Sequence, residues 1–114
     1  MKAQLKVRGN LTIEVEAEQQ KDLFRVLAGA QEVFGEKNCG KCKSGDVLFR
    51  VRTVKGLEFF ELVCGRCRAV LQLGVHREGG TLFPRRHAEL EGGVKEWLPD
   101  NGWKKWDPEA ERMV

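Results

Sequence analysis

Long apolar runs are missing from this chain of 114 residues, and so is the apolar core of an export signal; the first ten residues read MKAQLKVRGN. No stretch approaches the ~20 apolar residues that a bilayer-crossing helix needs. Without a signal core the expectation is a cytoplasmic protein that makes no membrane contact. The signatures of several catalytic classes are missing too. There is no Gly-x-x-x-x-Gly-Lys-Ser/Thr loop, no Gly-x-Ser-x-Gly elbow and no His-Glu-x-x-His helix. Histidine occurs only twice, at His76 and His87, and the acidic pairs Glu14/Glu16 and Glu89/Glu91 carry no mark of paired catalytic carboxylates. These absences point away from an enzyme and toward a binding module. A strong net charge is lacking as well. The formal +3 is too small by itself to indicate nucleic-acid binding.

What is present is an arrangement of cysteines. All four fall into two Cys-x-x-Cys pairs, Cys39/Cys42 and Cys64/Cys67, so none is left over. Two such pairs bring four thiolates to one ion, and four sulfurs fill a tetrahedral zinc sphere, which makes a structural site. The residue after the first cysteine is glycine in both pairs, Gly40 and Gly65, as a tight turn with inward-facing amides favours. The expected cofactor is one structural Zn²⁺. Two disulfides would suit a secreted protein, and no signal is present. A redox pair would stand at a strand-to-helix junction, and neither pair leads into a helix. An iron–sulfur cluster also uses four thiolates, and spacing leaves it open.

Charge is distributed unevenly around these cysteines. Residues 1–38 carry six basic and six acidic side chains, residues 39–75 seven and three, and residues 76–114 seven and eight. The excess of +4 sits in the cysteine segment, and four thiolates on Zn²⁺ lower it by about 2.

Periodicity supplies the rest of the frame. Residues 3–8 and 11–16 alternate apolar with polar about Gly9-Asn10, which predicts a β-hairpin. From Glu18 to Phe34 the period becomes helical, with Leu23, Val26, Leu27, Ala30, Val33 and Phe34 on one stripe and Gly35 as a left-handed stop. After the first cysteine pair, residues 47–54 and 57–63 read as strands about a Lys55-Gly56 turn. Ala69, Leu71, Leu73 and Val75 then alternate as a third strand. The order knuckle, strand, strand, knuckle, strand is that of a zinc ribbon. Beyond His76 the glycine-punctuated segment lacks clear periodicity, with a helical turn expected over 94–98 and three tryptophans arguing against full disorder. The expected fold class is α+β. A hairpin and an amphipathic helix (1–36) pack beside a three-stranded zinc ribbon (37–76), followed by a mostly irregular arm (77–114), all as one compact unit.

Basic and aromatic residues lie together in three places. Arg50 and Arg52 share a strand face, Lys55 follows in the turn, and Phe60 lies on the next strand. Arg77, Arg85 and Arg86 accompany Phe83. Trp103-Lys104-Lys105-Trp106 brackets two lysines with two indoles. Single-stranded nucleic acid is held by such mixtures, with cations on phosphates and rings on bases. Phe83 and the tryptophans can instead serve to pin the arm onto a small core, which is the more common role of such a ring.

The string Phe59-Phe60-Glu61-Leu62-x-Cys64-x-x-Cys67-x-Ala69-x-Leu71, continuing through Gly74, His76-Arg77, Gly79-Gly80 and Leu82-Phe83-Pro84-Arg85-Arg86, resembles small zinc-ribbon proteins encoded by bacteriophages. The Gln31-Glu32-Val33-Phe34 helix end and Gly102-Trp103 fit the same picture. That resemblance implies an accessory factor of phage DNA replication or recombination, in the host cytoplasm, with single-stranded DNA as ligand. In the alternative, the chain docks on a replication or recombination protein, such as a polymerase or recombinase, without touching nucleic acid.

Overall fold

The computed structural model describes every residue except 9–10 and 77–79 and, for its side chain, Arg8, so the expected Gly9-Asn10 turn lies outside the described residues. Residues 1–37 with 75–83 form one compact unit, and residues 38–74 with 84–114 form a second. Among the described residues the fold is α+β, with one α-helix and several antiparallel sheets.

In the first unit β1 (Lys2–Arg8) pairs antiparallel with β2 (Leu11–Glu16). Ala3 stands opposite Val15 and Leu5 opposite Ile13, so the alternation in both strands feeds one apolar face. The register shifts between Lys6 and Arg8. Helix α1 (Gln20–Phe34) lies against both strands, and Val7, Val15 and Val33 are the buried contacts. The helix stops at Gly35 as expected, but not in a left-handed cap. Gly35 has φ −78°, its N–H donates to the Gln31 carbonyl, and a Cβ there would run into that same oxygen. Glycine is required by crowding at this position, not by backbone handedness.

The second unit holds most of a sheet ordered β3 (Val47–Val54), β4 (Leu57–Cys64), β5 (Val70–Val75), β6 (Leu82–Pro84). Lys55 and Gly56 both have positive φ, 52° and 80°. That is the two-residue turn whose twist matches a hairpin. It sets every pair in β3–β4: Val54 faces Leu57, Arg52 faces Phe59, Arg50 faces Glu61, and Val47 faces Cys64. Directly opposed residues share a sheet face. One face therefore carries Val47, Leu62 and Leu71, which join Cys39, Cys64, Ala69 and Trp103 in the core. The other carries Arg50, Arg52, Phe59, Glu61 and Gln72.

The segment read as an irregular arm contains more structure than its sequence suggests. It supplies β6, the fourth strand of a sheet expected to have three. It then forms two small hairpins, β7 (His87–Glu89) with β8 (Lys95–Trp97) and β9 (Trp106–Asp107) with β10 (Arg112–Met113). The helical turn expected over 94–98 is β8 instead. Antiparallel pairing of Lys95–Trp97 with His87–Glu89 captures the backbone, and Leu90 donates to the Val94 carbonyl at 2.7 Å to close the loop. No described helix is long and apolar enough to cross a membrane.

Candidate metal centre

Each Cys-x-x-Cys pair folds into the same knuckle. In the first, Lys41 and Cys42 N–H point at Cys39 Sγ at 3.3 and 3.5 Å, and Lys43 N–H bonds the Cys39 carbonyl at 3.0 Å. In the second, Arg66 and Cys67 N–H point at Cys64 Sγ, both at 3.4 Å, and Arg68 N–H bonds the Cys64 carbonyl at 3.0 Å. Lys43 and Arg68, at equivalent positions, both adopt left-handed φ, 65° and 66°. Cys39 N–H bonds Ser44 O, and Cys64 N–H bonds Ala69 O, which closes each loop five residues on.

The hairpin register brings the knuckles together. Val47 opposite Cys64 places the exit of the first knuckle beside the entrance of the second, and Gly65 N–H donates to the Asp46 carbonyl at 2.8 Å. The four sulfurs consequently lie within 4.8 Å of one another, with Cys39–Cys67 at 3.6 Å and Cys42–Cys64 at 3.5 Å. Tetrahedral ligation with Zn–S bonds of about 2.3 Å sets sulfurs ~3.8 Å apart. The cluster is therefore arranged to hold a metal ion and compatible with zinc. The amide donors also prepare the ligands. Those of Cys67 and then Arg66, with the neighbouring thiols of Cys42 and Cys67, lower the Cys64 thiol from 9.0 to about 6 against the opposing effect of burial.

The two glycines have a more specific reason than a tight turn. A Cβ on Gly40 would meet the Asp100 carbonyl oxygen and the Trp103 ring, and one on Gly65 would meet the Asp46 carboxylate. The first of these contacts ties the far end of the chain to the metal centre. Lys41 Nζ reaches Asp100 Oδ2 at 2.6 Å, which holds the Asp100 carboxyl below its ordinary range. Asp100, Asn101 and Gly102 all have positive φ, and Gly102 abuts the Arg85 carbonyl where no Cβ fits.

Trp103 follows, and it corrects an expectation. Its ring is 0% exposed and offers no face to a base; it is the largest side chain of the core. Trp103 and Trp106 do not bracket the lysines as a pair, because Trp106 is 55% exposed on β9. Lys104 bridges to Val70 through paired backbone bonds of 2.9 and 2.8 Å, and Lys105 pairs likewise with Val114.

Arg50 and Arg52 do lie side by side on one face, joined by a residue that composition and charge alone do not single out. Glu61, only 3% exposed, accepts from Arg50 Nε and Nη2 at 3.2 and 3.0 Å and from Arg52 Nε at 3.1 Å. Counting outward from the Lys55-Gly56 turn would have found it. The same count separates the two phenylalanines and does not place Phe60 with the arginines. Phe60 opposes Val51 on the other face, whereas Phe59 opposes Arg52, whose guanidinium lies 5.1 Å from the Phe59 ring centre. Lys55 is exposed in the turn. Arg85 donates its N–H to the Gln72 carbonyl and borders the same concavity as Gln72. Arg86 is engaged within the fold, with Nη1 donating to the Asn101 carbonyl at 2.6 Å. Arg77 lies outside the described residues.

Comparison with protein-family models, with curated proteins and with solved structures finds no match.

Proposed function

We propose that this chain is a non-catalytic zinc-ribbon protein whose arginine-bearing sheet face binds single-stranded DNA, in the phage replication or recombination setting that its sequence resemblance implies. Four cysteine ligands leave zinc no open position for water or substrate, so the metal would act by holding the two knuckles and the sheet in register. The observation that carries the binding reading is the Arg50–Glu61–Arg52 cluster with Phe59 beneath Arg52. Glu61 is the sole acid on that face of β3–β5 among the described residues. It neutralises one guanidinium and orients both, so the pair keeps a net positive charge at a fixed spacing. Phe59, 37% exposed, supplies a ring on which a base can stack, and Arg85, bonded through its N–H to Gln72, is a further cation beside β5.

Salt dependence is the test. Engagement of two or three phosphates of a single strand gives a slope of log K against log salt of about −1.4 to −2.1, at roughly 0.7 per phosphate. Arg52→Ala is expected to weaken binding several-fold and flatten that slope. No detectable retention of a labelled oligonucleotide at low salt would end the proposal.

A second reading, docking on a polymerase or recombinase, draws on a different observation. The first unit has an apolar groove of about 680 Å³ between Ile13, Val15, Val26, Ala30, Val33 and Leu82, and Phe24 nearby in sequence is 74% exposed. Apolar docking there would be insensitive to salt, which separates it from phosphate binding.

A further inference from the structure

On the same side of the sheet as the arginine pair, the second unit contains a concavity of about 240 Å³ bordered by Gln72, Arg85, His87 and Lys104, with Val70, Ala88 and Leu98 as its apolar wall. No acidic residue borders it, and neither Arg85 nor Lys104 has an ion-pair partner among the described residues. In this the concavity differs from the Arg50–Arg52 pair, where a buried carboxylate already takes up part of the charge.

We infer that this concavity is a subsite for a phosphate monoester. The two cations stand on backbone hydrogen-bonded to the same flank of β5. Lys104 is fixed to Val70 by two hydrogen bonds, and Arg85 is fixed to Gln72 by one of 2.9 Å. Backbone pairing of this kind holds such groups more closely than a free loop does. His87 is packed on Trp97 with ring centres 3.9 Å apart and is a further lining residue of the concavity. A monoester, with its second ionisation near pH ~6, carries close to two negative charges at neutrality. Each internal phosphate of a strand carries one. Two unneutralised cations with no acid beside them match the dianion better. The apolar wall suits the sugar or base to which the phosphate is attached. The volume is below the ~300–1,000 Å³ of drug-sized sites, which fits one phosphorylated terminal residue and not a longer ligand. The phosphate comes from a strand end or from a free mononucleotide; only the first source rests on the strand-binding reading above.

The test uses the metal-loaded full chain and one oligonucleotide sequence prepared with hydroxyl ends, with a 5′-phosphate and with a 3′-phosphate, alongside a nucleoside monophosphate alone. One phosphorylated form is expected to bind about tenfold more tightly than the hydroxyl form, a difference of ~1.4 kcal/mol. Lys104→Gln, and separately Ala88→Leu, which narrows the concavity without removing a cation, are expected to bring that ratio to within about twofold. Equal affinity for all three strands, with no mononucleotide binding, overturns the subsite and leaves strand binding intact. A phosphate preference that survives both substitutions overturns it too. Mononucleotide binding that both substitutions weaken, with no strand binding at any salt, upholds the subsite, assigns it to a free ligand and removes the strand reading.

Discussion

Individual side chains around the metal centre do unequal work. Cys39 and Cys64 are fully buried and each receives two backbone amides at sulfur, whereas Cys42 and Cys67 lie further out. Amide donation favours thiolate, which is why Cys64 is lowered to about 6. A thiol depressed in the folded state stabilises the fold fully above its unfolded value of 9.0, and that contribution is lost as pH falls through about 6. A bound cation lowers the value further. Metal release on acidification, followed by a chromogenic chelator, is therefore expected to have its midpoint below pH 6; a midpoint near neutrality would contradict the amide-stabilised thiolate. Glu61 makes the second residue-scale prediction. Its removal strands two guanidiniums that are 43% and 46% exposed and can turn to water, so the cost is nearer that of a surface pair than of a buried one. Glu61→Gln is expected to lower unfolding stability by about 1–2 kcal/mol. Under the strand-binding proposal it also frees a positive charge, so affinity at low salt should rise a few-fold; a fall in affinity would show that Glu61 acts by fixing the arginines in place.

At the scale of elements, the loop over residues 99–103 is what joins the C-terminal segment to the first knuckle. The Lys41–Asp100 ion pair and the seating of Trp103 over Gly40 make that loop part of the core. Trp103→Ala is expected to cost about 3–5 kcal/mol, as for other enclosed aromatic side chains, while Trp106→Ala should stay within about 0.5 kcal/mol. Chemical denaturation of the two variants checks this; equal effects would place both indoles in the same role. The elements that were legible beforehand are those with a local signal. The helix stripe over Leu23–Phe34, the alternating strands about Lys55-Gly56 and the paired Cys-x-x-Cys turns each carry their own period or spacing. What was not legible either lacks a clear period of its own or depends on a partner distant in sequence. β6 exists because β5 offers it an edge, β8 because β7 does, and Trp103 is buried because Gly40, some sixty residues earlier, leaves room for its ring. The choice between Phe59 and Phe60 falls in between. It follows from hairpin register alone, and counting from the turn resolves it.

For the molecule as a whole, size would make a bound metal decisive. The chain divides into two small units, and the buried apolar set of the second is a short cluster that includes two of the cysteines. Domains of this size have little margin without a staple. Structural zinc contributes ~10–16 kcal/mol in small sites, comparable to the ~5–15 kcal/mol by which ordinary domains are stable. Cys64→Ser is accordingly expected to abolish metal retention and the cooperative unfolding of residues 38–74 and 84–114; a metal-free variant with native hydrogen-exchange protection across β3–β5 would refute that coupling. The most direct measurement is elemental analysis of protein purified under reducing conditions. One zinc per chain is the result this account requires. Iron in its place would overturn the zinc assignment while keeping the cluster, and a folded chain with four titratable thiols and no metal would contradict the centre itself.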